Sequence, residues 1–193
     1  MKKLILGSKS PRRKQLLEEL HIPFDVRVGK FNEDTVTIDD PMRKAEHLAY
    51  LKAKNIPLKS NEEIILTADT IVSFKNTIFG KPKNKDEAFT MIKSLSGNTH
   101  NVITAVTLRS VDKEIVFSVK TEVEFWPLSI GQIKSYTLTK EPYDKAGAYG
   151  IQGLARLFIK RINGDYYNVV GLPISYVMQE LFKFGFKINK FEE

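Results

Sequence analysis

The run "EIILTADTIVSF", residues 63–74, constrains the fold more than any other stretch of the chain. A strand with one wet face alternates apolar and polar residues, whereas this one is apolar almost throughout and reads as a strand buried on both faces. Burial of that kind calls for a sheet with layers packed on each side, which here means an α/β architecture. One residue conflicts with the pattern. Asp69 stands in the middle of the run, and an ionised carboxylate there is costly unless a cation or a metal pairs with it. The alternative is a strand-end aspartate making a turn, with Thr70 beside it.

Helix and strand patterns alternate around this run from the start of the chain. Residues 3–7 read as a first strand, followed by a helix with Ser10 as its cap and Pro11 at its first position, where a missing N–H costs nothing. Leu16, Leu17 and Leu20 give that helix its inward face. "PFDVRV" reads as a second strand, "DDPMRKAEHLAYLKAKN" as a helix capped at Asp40, and "NTIFG" as a short hairpin partner of the long strand. "NKDEAFTMIKSLSG" is a helix ended by Gly97, residues 101–109 and 114–126 are β-rich, and "SIGQIKSYTLT" and "LPISYVMQELFKFG" supply later helices. Hairpins and crossovers together indicate a mixed sheet. No internal period and no Gly/Ser-rich linker interrupts the chain, so a single domain over residues 1–193 is expected.

Composition removes several classes of function. Zero cysteines exclude disulfides, thiolate catalysis and cysteine-bound metal, and His21, His47 and His100 are too scattered for a local histidine motif, so any metal would be held by oxygen. No run approaches the roughly 18 apolar residues of a membrane span, and "MKKLILGSKS" lacks the length and cleavage site of a secretory signal; the expected compartment is the cytoplasm. The formal charge of +7 favours a polyanionic partner, whether nucleic acid, anionic lipid or a phosphorylated small molecule.

A second break in the pattern is Lys52. With Ala45 at zero and about 100° per residue, Ala49 falls near roughly +40°, Leu48 near −60°, Ile56 near +20° and Lys52 near −20°, in the middle of the apolar stripe. Either Lys52 snorkels past the stripe to water or it has a partner inside. As a charge on an apolar stripe, its replacement by methionine is expected to leave stability unchanged or raised. The two anomalies join a wider set: Arg12, Arg13, Lys52 and Lys81 are cations, Glu33 and Asp69 carboxylates. Guanidinium forks match phosphate oxygens, lysines neutralise phosphate charge, and one or two carboxylates can hold Mg²⁺ while one orients or deprotonates water. Arg12 and Arg13 fall in the first turn of a helix whose N–H groups also favour anions, with the Ser8 and Ser10 hydroxyls as further donors. A solvated basic turn is the other reading of the pair. No Walker A loop, dinucleotide fingerprint or serine-hydrolase elbow is present.

The stretches "LGSKSPRRKQLL", "TADTIV", "FGKPKNKDEAFTMIKSLSGNTHNVITAV", "EPYDKAGAYGIQG" and "GDYYNVVGLP", in this order over nearly the whole chain, resemble the Maf family of nucleoside triphosphate pyrophosphatases. The resemblance implies an elongated mixed β-sheet flanked by helices, with two lobes around a cleft, as in the inosine-triphosphatase-like fold. It implies hydrolysis of a nucleoside triphosphate to the monophosphate and pyrophosphate with a divalent metal cation, Mg²⁺ or Mn²⁺. Carried over to this sequence, Asp69 is the base, Ser8, Arg13, Lys52 and Lys81 bind substrate, and Glu33 and Asp69 hold the metal. Gly7 departs from the alanine common in such members and is expected only to loosen the turn.

Members that resemble this chain at Arg12, Thr70 and Gln152 act on dTTP and UTP, which makes these three the implied specificity residues. A neutral amide at Gln152 suits the alternating acceptor and donor of a thymine or uracil edge, whereas a carboxylate there would suit a methylated guanine. Gly147, Gly150 and Gly153 around it permit tight turns near a ligand or simply shape a loop. The alternatives are a 7-methyl-GTP pyrophosphatase and a non-catalytic nucleic-acid-binding or septum-regulating protein. The basic residues are spread among acidic ones without a compact tract, which argues against a stable nucleic-acid partner. The expected partner is the nucleotide substrate, with no membrane, and the resemblance implies a homodimer.

Overall fold

The computed structural model describes residues 2–188; residue 1 and residues 189–193, which the expected domain also takes in, lie outside it. Its seven-stranded sheet comprises β1 (Lys3–Leu6), β2 (Phe24–Val26), β3 (Glu63–Phe74), β4 (Thr77–Phe79), β5 (Thr99–Arg109), β6 (Glu114–Phe125) and β7 (Ile159–Asn163). The order is β2-β1-β3-β5-β6-β7, with β4 paired to β3. β1 runs parallel to β2 and β3, and the remaining pairs are antiparallel, so the sheet is mixed.

The helices are α1 (Pro11–Glu19), α2 (Pro41–Lys54), α3 (Lys85–Leu95), α4 (Ile130–Thr137), α5 (Tyr166–Val170) and α6 (Ile174–Lys183). β3 is covered on both faces, as its composition demands. Ile64, Leu66 and Ala68 point into a core shared with Leu16 and Leu17 of α1 and Val177 and Leu181 of α6. Ile65 packs with Ala53 and Ile56 at the end of α2, and Ile71 with Ala45, Leu48 and Ala49 of α2. Ile64, Ile65 and Leu66 are wholly buried, a contribution of about 1.5–3 kcal/mol each. Further along, Val72, Val102, Val123 and Phe125 belong to a separate core built with α3 and α4. The long strands β3, β5 and β6 therefore run through two lobes with different helical cover.

Side-chain caps set the helix starts. Ser10, Asp40, Asn84 and Ser129 each accept the backbone N–H three residues on, and Ser129 and Gln132 form a reciprocal capping box. Three expectations change. Leu20 is 45% exposed because α1 ends at Glu19 and the chain leaves the helical period there. The second strand is shorter than "PFDVRV". Gly7 does more than loosen a turn: a Cβ there would meet Ile56 Cδ1 and Thr67 Cγ2, each at 2.5 Å, so its hydrogen keeps β1 against the end of α2. β7, which alternates with charged residues, and the neighbouring 3-10 turns had no clear periodic signal.

Candidate functional site

β1 and β4 pair with the same edge of β3 and leave a gap between them. β1 covers Glu63 to Leu66 and β4 covers Val72 to Phe74, so among the described residues the edge of β3 from Thr67 to Ile71 has no strand beside it. Gly7 N–H makes the last main-chain bond on the β1 side, to Leu66 O at 2.7 Å. After it the chain turns into α1, and Ser8, Arg13, Thr70, Asp69, Lys52 and Glu33 meet around this notch.

Arg13 fills the edge. Its Nη1 donates to Ala68 O at 2.9 Å and to Ser8 Oγ at 3.2 Å, its Nη2 to Thr70 Oγ1 at 3.0 Å, and its Nε to Gly171 O at 2.7 Å. Four of the five guanidinium N–H groups are thus committed to the protein. The sequence suggests a fork gripping phosphate; the structure leaves one Nη2 hydrogen and the charge. Burial pushes the Arg13 pKa down and Arg12 adds to this, while Asp69 and Glu33 pull the other way. Ser8 Oγ accepts from both Arg13 Nη1 and Ser10 N, the latter at 3.2 Å, so among the described residues its own proton is uncommitted.

On the opposite face of β3, Lys52 reaches from the inward side of α2 to the carboxylates. Its Nζ lies 2.6 Å from Asp69 Oδ1 and 2.8 Å from Glu33 Oε1. This decides between the two readings of the lysine: it is paired inside rather than snorkelling. Asp69 lies in the interior of β3 and is 7% exposed, so it is no strand-end turn. Its cross-strand neighbour, Ala105, is small. Glu33 opens a 3-10 turn and is exposed. The partial loss of water around it would raise its carboxyl, but the hydrogen bond and charge of Lys52, with the charges of Lys81 and Arg13, outweigh this and hold it below the ordinary value. Lys81, two residues past β4, forms the far rim. Cations therefore flank two carboxylates that share one ammonium.

The glycine-rich segment docks on that rim. Gly147 N donates to Gly80 O at 3.0 Å, and Gly147, at φ +68, lies so close to Val72 that a Cβ would approach it to 2.8 Å. Arg12 Nη1 reaches Asp144 Oδ2 at 3.3 Å, tying the start of α1 to the same segment. Glu141 accepts from Leu154 N at 2.7 Å and Ala155 N at 3.3 Å and so fixes the loop carrying Gln152. Gln152 is half-exposed, and its carbonyl accepts from the Arg156 guanidinium; none of the bonds around Asp69 and Arg13 reaches its side chain. The sequence reading missed Thr104, Asn168, Gly171 and the Ala68 carbonyl. Of these, only the buried polar Asn168 in "YYNVV" carried a usable signal.

Among the described residues no group of three or more acidic or histidine side chains could hold a metal by itself. The donor set at the notch is two carboxylates, all oxygen. It fits Mg²⁺ or Mn²⁺ in the manner of sites where one or two carboxylates are completed by water and substrate phosphates.

A profile of the Maf-like protein family matches residues 3–184. A relative from Bacillus cereus (strain G9842) called dTTP/UTP pyrophosphatase is 46% identical over 189 residues, covering 98% of this chain and 99% of the relative. One from Bacillus anthracis with the same name is 45% identical over 189 residues, with the same shares covered. Among solved structures, a HAM1 protein from Coxiella burnetii superposes with a TM-score of 0.53 over 95% of this chain and 100% of its own, at 12% identity. That likeness supports the fold alone.

Proposed function

The chain belongs to the Maf family, and from that premise we propose that it hydrolyses dTTP and UTP to the nucleoside monophosphate and pyrophosphate. The observation that carries this reading is the notch, where cations from α1, α2 and the end of β4 surround Asp69 and Glu33 at an open strand edge.

The triphosphate would lie along the start of α1. The free Ser8 hydroxyl proton, the remaining Arg13 N–H and the helix N-terminus meet its oxygens. Lys81 and Lys52 neutralise charge from the opposite side. Asp69 uses Oδ1 for Lys52, which leaves Oδ2 to accept the proton of the attacking water. The water oxygen bonds to the α-phosphorus, the bond from that phosphorus to the bridging oxygen breaks, and the electron pair leaves on pyrophosphate. Glu33 and Asp69 would hold a divalent cation, which when bound supplies charge neutralisation at the phosphates and acidifies water. Gln152 would read the base edge, and Arg12 and Thr70 are the other two specificity residues of this reading. No described helix is long and apolar enough to cross a membrane; the cytoplasm and a homodimer complete the proposal.

The test is a panel of dTTP, UTP, CTP, 7-methyl-GTP and purine triphosphates with chromatographic identification of products. The expected result is monophosphate plus pyrophosphate, fastest for dTTP and UTP and stopped by chelation. Release of diphosphate and orthophosphate would overturn the proposed chemistry. A higher kcat/KM for 7-methyl-GTP would overturn the base assignment alone, and salt-sensitive DNA binding without turnover would favour the non-catalytic alternative.

A further inference from the structure

Behind the notch runs a chain of hydrogen bonds that the mechanism above does not use. Thr104 of β5 stands directly across from Thr70 and is wholly buried. Its Oγ1 lies 2.9 Å from Thr70 Oγ1 and 2.9 Å from the main-chain oxygen of Asn168. A carbonyl oxygen only accepts, so the Thr104 proton goes to Asn168. A hydroxyl has one proton. In the contact between the threonines, Thr70 must therefore donate, and its oxygen is left as the acceptor for Arg13 Nη2 at 3.0 Å. The direction of the whole chain follows: Arg13 donates to Thr70, Thr70 to Thr104, and Thr104 to Asn168.

The far end is anchored. Asn168 is wholly buried; its Oδ1 accepts from Thr104 N at 3.1 Å, and its Nδ2 donates to Val102 O at 3.0 Å and to Thr121 Oγ1 at 2.9 Å. Gly171, which closes the same helix, accepts from Arg13 Nε. α5 thus grips Arg13 directly through Gly171 and indirectly through the two threonines.

We propose that Thr104 is a positioning residue for the reaction, its hydroxyl fixing Thr70 as an acceptor and thereby aiming the Arg13 guanidinium at the phosphates. This rests on the reading of Arg13 as a phosphate-binding group. Without the Thr104 hydroxyl, Thr70 loses the acceptor that holds its proton and can turn it toward the Arg13 N–H, where donor meets donor. Asn168 O still accepts from Gly171 N at 3.1 Å, so α5 keeps its C-terminal bond.

The experiment compares Thr104→Val, which keeps the shape, with Thr104→Ser, which keeps the hydroxyl. Packing alone would make valine the milder change. The relay predicts the reverse: kcat/KM for dTTP within about twofold of wild type for serine and down about tenfold for valine, the order expected for one net hydrogen bond. Should the valine protein fail to fold, Thr104→Ala against Thr104→Ser differs by the hydroxyl alone and carries the same comparison. The same order is read in the Kd for inorganic pyrophosphate. That second readout separates the two ideas, because absent dTTP turnover in the wild type strikes the proposed reaction while the pyrophosphate order still decides the relay. Valine or alanine equal to or better than serine in both readouts would overturn it.

Discussion

Replacing Lys52 with methionine should destabilise the protein, against the expectation drawn from an apolar helical stripe. On an apolar stripe alone the ammonium would be an unwanted charge. In the structure Lys52 Nζ lies 2.6 Å from Asp69 Oδ1, and the two side chains are only 20% and 10% exposed. At about 4 Å between charge centres and an effective dielectric near 20, the attraction is about 4 kcal/mol. Removing the lysine also recovers its own desolvation cost and adds apolar burial, while water entering the open notch relieves Asp69 in part. A net loss of about 2 kcal/mol remains, below the 3–5 kcal/mol typical of a broken, fully buried pair. For a chain of this size that corresponds to a drop of roughly 4–8 °C in Tm. Thermal melts of Lys52→Met, Asp69→Asn and the double variant check it. In the double variant no unpaired carboxylate is left on β3, so it should recover at least half of the loss. A Lys52→Met protein that melts at or above the wild type would refute the reasoning and restore the stripe argument.

Two further outcomes follow from the same structure. Asp69→Asn keeps the shape of the side chain but removes the proposed base and one charge at the metal position, so dTTP turnover should fall about 10²-fold or more with the fold intact by circular dichroism; near-normal turnover would remove Asp69 from its role. His100, wholly buried with Nε2 2.7 Å from Tyr149 Oη, has its pKa pushed down by burial to about 4. The folded protein keeps the ring neutral where the unfolded chain protonates it, so stability is complete above about pH 6.5 and declines as pH falls toward 4, by about 3 kcal/mol in all. Urea titrations across this window should show the slope, and His100→Phe should flatten it even though Tyr149 loses a partner. A slope unchanged by the substitution would place its origin elsewhere.

The layered sheet was legible because β3 advertises it: no arrangement with a wet face accommodates Ile64, Ile65, Leu66, Ala68, Ile71 and Val72 together. The anomalies within the pattern, Asp69 and Lys52, found each other in space, since a charge on a buried face must answer another charge. Leu20 and Gly7 were read less well, for local reasons: helix period does not say where a helix stops, and the room around a backbone hydrogen depends on Ile56 and Thr67, which are distant in sequence. Thr104 was illegible for a different reason. Threonine belongs in strands on propensity alone, so nothing in "NVITAVTL" marks its hydroxyl as spoken for. A relay through three side chains on three elements has no sequence period.

The position of the site at an interrupted strand edge also explains why its residues are hard to test by truncation. An uncovered length of β3 presents main-chain groups that need partners. The Ala68 carbonyl finds one in Arg13 rather than in a strand. The guanidinium therefore completes the sheet and, in the proposed reaction, would also supply charge for the anion, and removing it would expose the edge, release Gly171 and free Ser8 in a single step. Loss of activity in such a variant would say little about phosphate binding. Substitutions that change one atom's chemistry while leaving Arg13 in its slot, as at Asp69 and Thr104, separate the two proposed duties, because each would alter what the notch offers a nucleotide without reopening the edge of the strand.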